Sequence, residues 1–304
     1  MNKAAYIWMD GTFVPWDEAN VHILTHTLHY GNGVFEGTRA YQTQKGLAIF
    51  KLREHTKRLL NSAKITMIAP NFDLETLEQA QIELLRKNNF KSNVYLRPLI
   101  YLGYGVMGLY HVNAPVQTAI AAWEWGTYLG EEGLEKGIRV KISSFVRNPV
   151  KSTMGKAKAV ANYLNSQMAK FEAKEAGYDE ALLLDDDGFI AEGSGECFFI
   201  IRNGVLISPP NDNSLESITQ GMVLELARAK GIPIERRRVT RDEVYMADEA
   251  FFTGTAAEVT PIRNVDGRVI GNGARGAMTK ELQEAYFDVV YGRNPAYEHL
   301  LTYI

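Results

Sequence analysis

With 304 residues the chain is long enough for two medium-sized domains with buried cores, and 46% hydrophobic and 23% charged residues match an ordinary soluble globular protein. A formal net charge of -3, with both signs interleaved, gives no electrostatic reason to expect DNA, RNA or an anionic membrane as partner. One cysteine, Cys197, excludes an internal disulfide or a cysteine-based zinc site, no apolar run approaches the roughly 20 residues that cross a bilayer, and the opening "MNKAAYIWMDGTFVPWDE" lacks a signal peptide's basic-then-apolar order, so a soluble cytoplasmic protein is expected.

In chain order, "AYIWMDGTFVPWDEANV" alternates apolar and polar residues around Asp10-Gly11, which predicts a hairpin. "GVFEGTRAYQTQKGLAIF" repeats the pattern with a turn near Lys45-Gly46. "KLREHTKRLLNSAKI" switches to helical spacing, and "LETLEQAQIELLRKNN" predicts a second helix before the strand "SNVYLRPLIYLG". Glycines 103, 105 and 108 mark a loop. "VQTAIAAWEW" reads as a buried strand and "GTYLGEEGLEKG" as a connector, where the domain boundary is placed: 1–120, a linking segment 121–134, and 135–304. Beyond it come the strand "RVKISSFVR", a helix over Met154–Met168, three short strands in "DEALLLDDDGFIAEGSGECFFIIRNGVLISPP", a helix from about Thr219 to Lys230 and another near Arg241. Strands and helices mix without regular βαβ alternation, so the fold class is α+β.

Two motifs lead away from nucleotides and metals. "GNGVFEG" (Gly31 to Gly37) has the wrong glycine spacing for a dinucleotide loop, and no P-loop sequence occurs. His22, His26 and His29 fall at helical spacing, but no carboxylate or cysteine completes a ligand set, so no metal is expected.

The chemistry concentrates instead around "MGKAKAVANYLNSQM". Lys158 stands between Ala157 and Ala159, and poor solvation there would disfavour its charged form and favour nucleophilic attack on a carbonyl. The plainer alternative is a lysine that snorkels from apolar surroundings to water. Glu192, in "FIAEGSGECFF", either caps a turn or pairs with a cationic ring nitrogen. Thr253 and Thr255 flank Gly254 in a turn whose amides suit an anion. Ser217-Ile218-Thr219 opens a helix, and helix N-termini attract anions. Each feature has a structural explanation; together they describe a lysine nucleophile, a carboxylate and two anion cradles.

These stretches resemble the fold-type IV pyridoxal-phosphate aminotransferases, and among them the branched-chain amino acid aminotransferases. The resemblance runs from "YIWMDG" through "HTLHYGNGVFEGTRAY", "LREHTKRLLNSAKI", "YLRPLIYLGYGVMG", "AAWEWGTYLG", "KAKAVANYL" and "GFIAEGSGECFF" to "ADEAFFTGTAAEVTPI". It implies two domains, the N-terminal one smaller and the C-terminal one a pseudo-barrel. It also implies a ping-pong transamination of leucine, isoleucine or valine with 2-oxoglutarate. By this resemblance Lys158 holds pyridoxal 5'-phosphate as an internal aldimine, Tyr163 bonds its phenolic oxygen and Glu192 pairs with its ring nitrogen. Arg58, Ile218, Thr219 and Thr255 hold its phosphate. Tyr95 and the Thr255-Ala256 turn match the site of the substrate α-carboxylate. Tyr30, Phe35, Gly37, Trp125 and Tyr128 match the wall for an aliphatic side chain, and Arg97 an arginine that accepts a distal carboxylate. Met107 lies in a loop that family members contribute across a dimer interface, so a homodimer or a trimer of dimers is implied.

The chain departs from the family pattern at Cys197, where many relatives have Asn, and in "LESITQ", where they read "LPGITR". Glu216 is therefore expected to point outward, away from a phosphate. D-amino acid aminotransferase, an (R)-amine aminotransferase, aminodeoxychorismate lyase and a silent cofactor binder share parts of this set. "YLRP", "GVMG" and "WEWG" favour the branched-chain reading.

Overall fold

The computed structural model describes residues 3–304, and the counts below are of those residues. By their internal contacts they form two compact units. The first runs to Gly126 and takes in Ala157–Ala161 and Val290–Ile304; the second comprises Thr127–Lys156 and Asn162–Val289. The division read from the sequence kept 135–304 together. The difference has a backbone cause that local patterning does not reveal: Ala159 bridges Val34, and Leu301–Tyr303 pair with Ala48–Phe50.

The first unit contains β1 (Tyr6–Met9), β2 (Thr12–Pro15), β3 (Gly33–Phe35), β4 (Thr38–Thr43), β5 (Gly46–Phe50), β6 (Val94–Leu102) and β7 (Val116–Glu124), with helices α1 (His26–Tyr30), α2 (Leu52–Ile65) and α3 (Leu74–Asn88). Asp10 and Gly11 both take left-handed φ values, 46° and 94°, the conformation a two-residue Asp-Gly hairpin requires. α3 starts on Asp73, whose carboxylate accepts from Thr76 N at 2.9 Å, and ends on left-handed Asn89. Leu59 of α2 and Leu77 and Leu84 of α3 join Val94, Leu96 and Ile100 of β6 in one core. The buried face of α2 also carries His55 and Ser62, polar residues at the same helical spacing as Leu59.

The second unit contains α4 (Glu131–Lys136), β8 (Ile138–Val146), α5 (Tyr163–Glu175), β9 (Glu180–Leu184), β10 (Ile190–Gly193), β11 (Cys197–Arg202), β12 (Val205–Ser208), α6 (Ile218–Ala229), β13 (Ile234–Arg236), α7 (Arg241–Tyr245), β14 (Glu249–Gly254), β15 (Glu258–Val265) and β16 (Arg268–Val269). α8 (Ala277–Val290) follows, ending where the chain returns to the first unit. Its nine-stranded sheet has the order β10-β9-β8-β15-β14-β11-β12-β13, with β16 on β15, and curls into a half-barrel. Phe198, Ile200 and Phe252 pack in the main core, while Phe199 stacks on Phe251 at 4.9 Å, so β11 and β14 are apolar on both sides. The last strand, β17 (Leu301–Tyr303), completes the first unit's sheet in the order β17-β5-β4-β6-β7-β1-β2, with β3 on β6.

Three local expectations change. The stretch expected to be helical from Met154 is non-helical up to Ala159, and α5 begins only at Tyr163 after a 3-10 turn at Val160–Asn162, because the backbone of 158–159 is engaged by β3 and by Ser62 of α2. The segment read as three strands around Asp-Gly and Asn-Gly turns forms four, since a further turn at Ser194–Glu196 separates β10 from β11. The connector holds α4. Among the described residues no helix is long and apolar enough to cross a membrane.

Leu59, fully buried, sets a measure of this core. Leu59→Ala is expected to cost about 2–5 kcal/mol, read as a lower urea midpoint with unchanged slope.

Candidate functional site

Lys158 sits in an extended stretch of the first unit. Its amide donates to Ser62 Oγ at 3.0 Å and its carbonyl accepts from Phe35 N at 3.0 Å. Ser62 in turn donates to Arg58 O at 2.8 Å, so α2 and β3 hold the lysine backbone from two sides. Nζ lies 4.9 Å from the centre of the Phe35 ring, and Ala157 is buried. Lys156 has a different setting, in the second unit. Its ammonium donates to Asn211 O and lies 3.7 Å from Glu216 Oε1. The Glu216 side chain is 78% exposed, pointing outward.

Arg58 belongs to a buried cluster that the sequence reading missed. Its Nε and Nη2 donate to Glu36 Oε1 and Oε2 at 2.5 and 2.9 Å, and His55 Nδ1 lies 2.9 Å from Oε2. Burial alone would push the Glu36 carboxyl up, but the charge of Arg58 and the bonds from His55 and Arg58 outweigh it and hold the group well below the usual carboxylate range. Burial pushes His55 down despite Glu36, and the charges of Arg58 and Lys158 add to that. His55 is therefore neutral and donates from Nδ1, so one carboxylate faces one guanidinium.

The same unit gathers much of the substrate set. The Arg97 guanidinium carbon lies 4.8, 5.3 and 5.8 Å from the centres of Phe35, Tyr95 and Trp123. Its Nε is buried with no hydrogen-bond partner. Trp125 meets Tyr95 edge-on at 4.8 Å. A Cβ on Gly37 would fall 1.8 Å from the Tyr95 hydroxyl, so only glycine fits beneath it. Tyr30 has another neighbourhood. Its hydroxyl accepts from Gly108 N at 3.2 Å, beside Met107, and His26 Nε2 bonds Gly108 O at 2.8 Å. The three histidines serve packing and turns: His29 Nε2 bonds Ile23 O at 2.9 Å, and His22 Nδ1 accepts from Leu24 N at 3.1 Å.

In the second unit Glu192, next to last in β10, has Oε1 3.0 Å from Arg147 Nε, both side chains largely buried. Arg147 also donates to Gly193 O at 2.6 Å, Ser166 Oγ at 3.0 Å and Asn165 Oδ1 at 3.1 Å, which ties the Glu192 turn to α5. Tyr163 opens α5. Ser217 caps α6, accepting from Gln220 N at 3.1 Å. As in any α-helix, the first-turn amides, here of Ile218 and Thr219, lack an intrahelical acceptor. Thr255 and Ala256 occupy the tight turn between β14 and β15, closed by Glu258 at φ 57°. Tyr128 lies beneath the Lys170 ammonium at 5.4 Å. Among the described residues no group of three or more His, Cys, Asp and Glu could hold a metal.

The model of the amino-transferase class IV family matches residues 33–265. The chain belongs to the class IV aminotransferases. A branched-chain-amino-acid aminotransferase of Pseudomonas aeruginosa is 50% identical over 303 residues, covering 100% of this aminotransferase and 98% of its relative. Among solved structures, a T.th. branched-chain amino acid aminotransferase complexed with N-(5'-phosphopyridoxyl)-L-glutamate matches with a TM-score of 0.94 and 48% identity, covering 100% of this chain and 99% of that one. The same enzyme complexed with 4-methylvaleric acid gives a TM-score of 0.94 at 47% identity and the same coverage.

Besides Glu36 and His55, the sequence reading of this aminotransferase missed Arg147, Glu180 and Glu196. Glu36, flanked by Phe35 and Gly37, had a usable signal: a carboxylate in an apolar run needs a cation. Arg147, last in "RVKISSFVR", had none. Burial, then the charge of Glu180, pushes Glu196 up to about 8, against Lys170. Between its ordinary 4.5 and that value the folded protein holds a proton the unfolded chain lacks, so this group's contribution is full below about 4.5 and lost as pH rises through 8. Glu196→Gln should flatten the decline in stability between pH 5 and 8, measured as urea midpoints of both proteins. Parallel curves would mean that Glu196 is ionised throughout.

Proposed function

We propose that this class IV aminotransferase moves the amino group of leucine, isoleucine or valine to 2-oxoglutarate, with pyridoxal 5'-phosphate as cofactor. The observation that carries the reading is Arg97, a guanidinium set among aromatic rings with a buried, unpartnered Nε. One wall thereby offers apolar rings to an aliphatic chain and a cation to a distal carboxylate. The names and bound molecules of the aligned relatives support the same choice.

The residues present fit the cofactor. In the first unit Lys158 offers an amine and Arg58 an anion donor; in the second Glu192 offers a carboxylate steadied by Arg147, and the first-turn amides of α6 offer anion donors. When bound, the cofactor supplies an aldehyde for amine exchange and a protonated pyridine ring that accepts the electrons left by the departing α-proton.

Glu192 keeps the proton on the ring nitrogen, since a nearby anion favours the cationic form. Tyr163 steadies the phenolic oxygen. Arg58, aimed by Glu36, holds the phosphate with Ile218, Thr219 and Thr255. The Lys158 amine would hold the cofactor's aldehyde carbon and, once freed, would carry the proton that leaves the substrate α-carbon. Tyr95 and the Thr255-Ala256 amides orient the substrate carboxylate. Phe35, Gly37 and Trp125 would exclude water from the aliphatic side chain, a wall to which the family resemblance adds Tyr30 and Tyr128. Two half-reactions through one pocket give ping-pong kinetics.

The reading extends to a cytoplasmic homodimer or a trimer of dimers. In support, Ile23, Leu28, Leu109, Tyr110 and Val112 are 59–86% exposed in and beside α1 and in the loop around Met107, large apolar side chains of the kind that a partner subunit covers.

Lys158→Ala is expected to abolish turnover and borohydride trapping of the cofactor, and Lys156→Ala to leave both largely intact; the reverse result would move the chemistry to the other lysine. Arg97→Met should raise KM for 2-oxoglutarate about tenfold or more, as for loss of a charge-assisted bond, and change KM for 4-methyl-2-oxopentanoate far less. Equal changes in both would remove Arg97 from acceptor recognition. A panel in which D-alanine turns over and leucine, isoleucine and valine do not would overturn the substrate assignment.

A further inference from the structure

The turn that follows Glu192 is held from below by ionisable groups that the proposed chemistry does not use. Glu180, fully buried at the start of β9, accepts from Ser194 Oγ at 2.6 Å and from Ala181 N at 2.8 Å through Oε1, and from the Lys170 ammonium through Oε2. Lys170 also donates to Asp179 O at 2.8 Å. Glu196 folds back under the same turn. Its Oε2 accepts from Gly195 N at 3.1 Å and would lie 2.8 Å from a Cβ on residue 193, and its carbonyl accepts from Gly193 N at 2.7 Å. From the other side Arg147 donates to Gly193 O.

We propose that Glu180 is a positioning residue for Glu192, acting through the Ser194 hydroxyl on the Gly193–Gly195 turn, with Glu196 filling the space beneath that turn. This rests on the reading of Glu192 as the partner of the cofactor's ring nitrogen.

A hydrogen bond from a hydroxyl to a buried carboxylate is among the stronger kinds, and losing it leaves the carboxylate under-satisfied. The two bonds to Glu180 Oε1 fix where the turn begins relative to β9. Arg147 then fixes the carboxylate of Glu192 relative to β8 and α5. The charged groups facing Glu196 are Glu180 from β9, Lys170 from α5 and Glu192 from β10, while β14 contributes Gly254. With Glu196 protonated, the carboxylates of Glu180 and Glu192 are balanced by Lys170 and Arg147. Burial raises the Glu196 carboxyl in keeping with that count.

The test is a double-mutant cycle read as the dissociation constant of pyridoxal phosphate, titrated into full-length apoprotein at pH 7, with apoprotein melting measured alongside. Ser194→Ala should weaken binding about fivefold in the Glu192 protein and less than about twofold in Glu192→Gln. Glu180→Gln, carried through the same cycle, should couple to Glu192 in the same direction and stands in should Ser194→Ala fold poorly. An equal factor in both backgrounds would make the contact merely structural and overturn the proposal, as would no weakening in the Glu192 background. Should Glu192→Gln itself leave both binding and turnover unchanged, the assignment of Glu192 fails as well, which separates the two ideas.

Discussion

Two backbone hydrogen bonds determine where Lys158 can be. Its amide is taken by a serine on α2 and its carbonyl by the strand that carries Phe35. The five residues Ala157–Ala161 are covalently flanked on both sides by the second unit yet pack with the first. A lysine on a free loop would sample many positions and lose the entropy on every encounter. Here that cost is met in folding. Ser62 also donates to the carbonyl of Arg58, so the proposed amine and the proposed phosphate arginine share one helix face as their reference.

Both units bury ionised groups in closed sets. Glu36 has Arg58 and a neutral His55; Glu192 has Arg147; Glu180 has Lys170 and the Ser194 hydroxyl. Desolvation makes such pairs poor sources of stability. Their value lies in direction: a bidentate carboxylate fixes the plane of a guanidinium, and a clamped turn fixes the approach of a carboxylate. Around Arg97 stand rings rather than an acid, and its Nε is buried without a hydrogen-bond partner. That is the arrangement expected of a cation whose anion arrives with the substrate.

Local pattern made much of the fold legible. The Asp10-Gly11 hairpin, α2, α3, β6 and β7 follow from alternation, helical spacing and turn residues, because each satisfies its backbone within a short stretch. The residues proposed to bear the chemistry were named through family motifs rather than through composition. What escaped reading depends on distant partners. Gly155 apart, residues 154–159 carry helix-compatible side chains, but 158 and 159 bond to β3 and α2 and cannot also form helical bonds. Glu180, Glu196 and Arg147 look like ordinary strand-end charges until the turn at Gly193–Gly195 brings them together. Glu36 lay within reach, as an acid inside an apolar strand pair, but its cation stands on a helix 22 residues further along.

The pairing of β17 with β5 reaches beyond the finished molecule. Leu301 sits opposite Phe50, so a strand made among the early residues gains its outer neighbour only from residues 301–303. Until then β5 presents an open hydrogen-bonding edge, a row of unpaired amides and carbonyls able to recruit another chain. Sequence separation of this size makes closure late and slow. A ribosome-bound or prematurely terminated chain would therefore carry a sticky border, and its solubility would hinge on three residues far from any catalytic group.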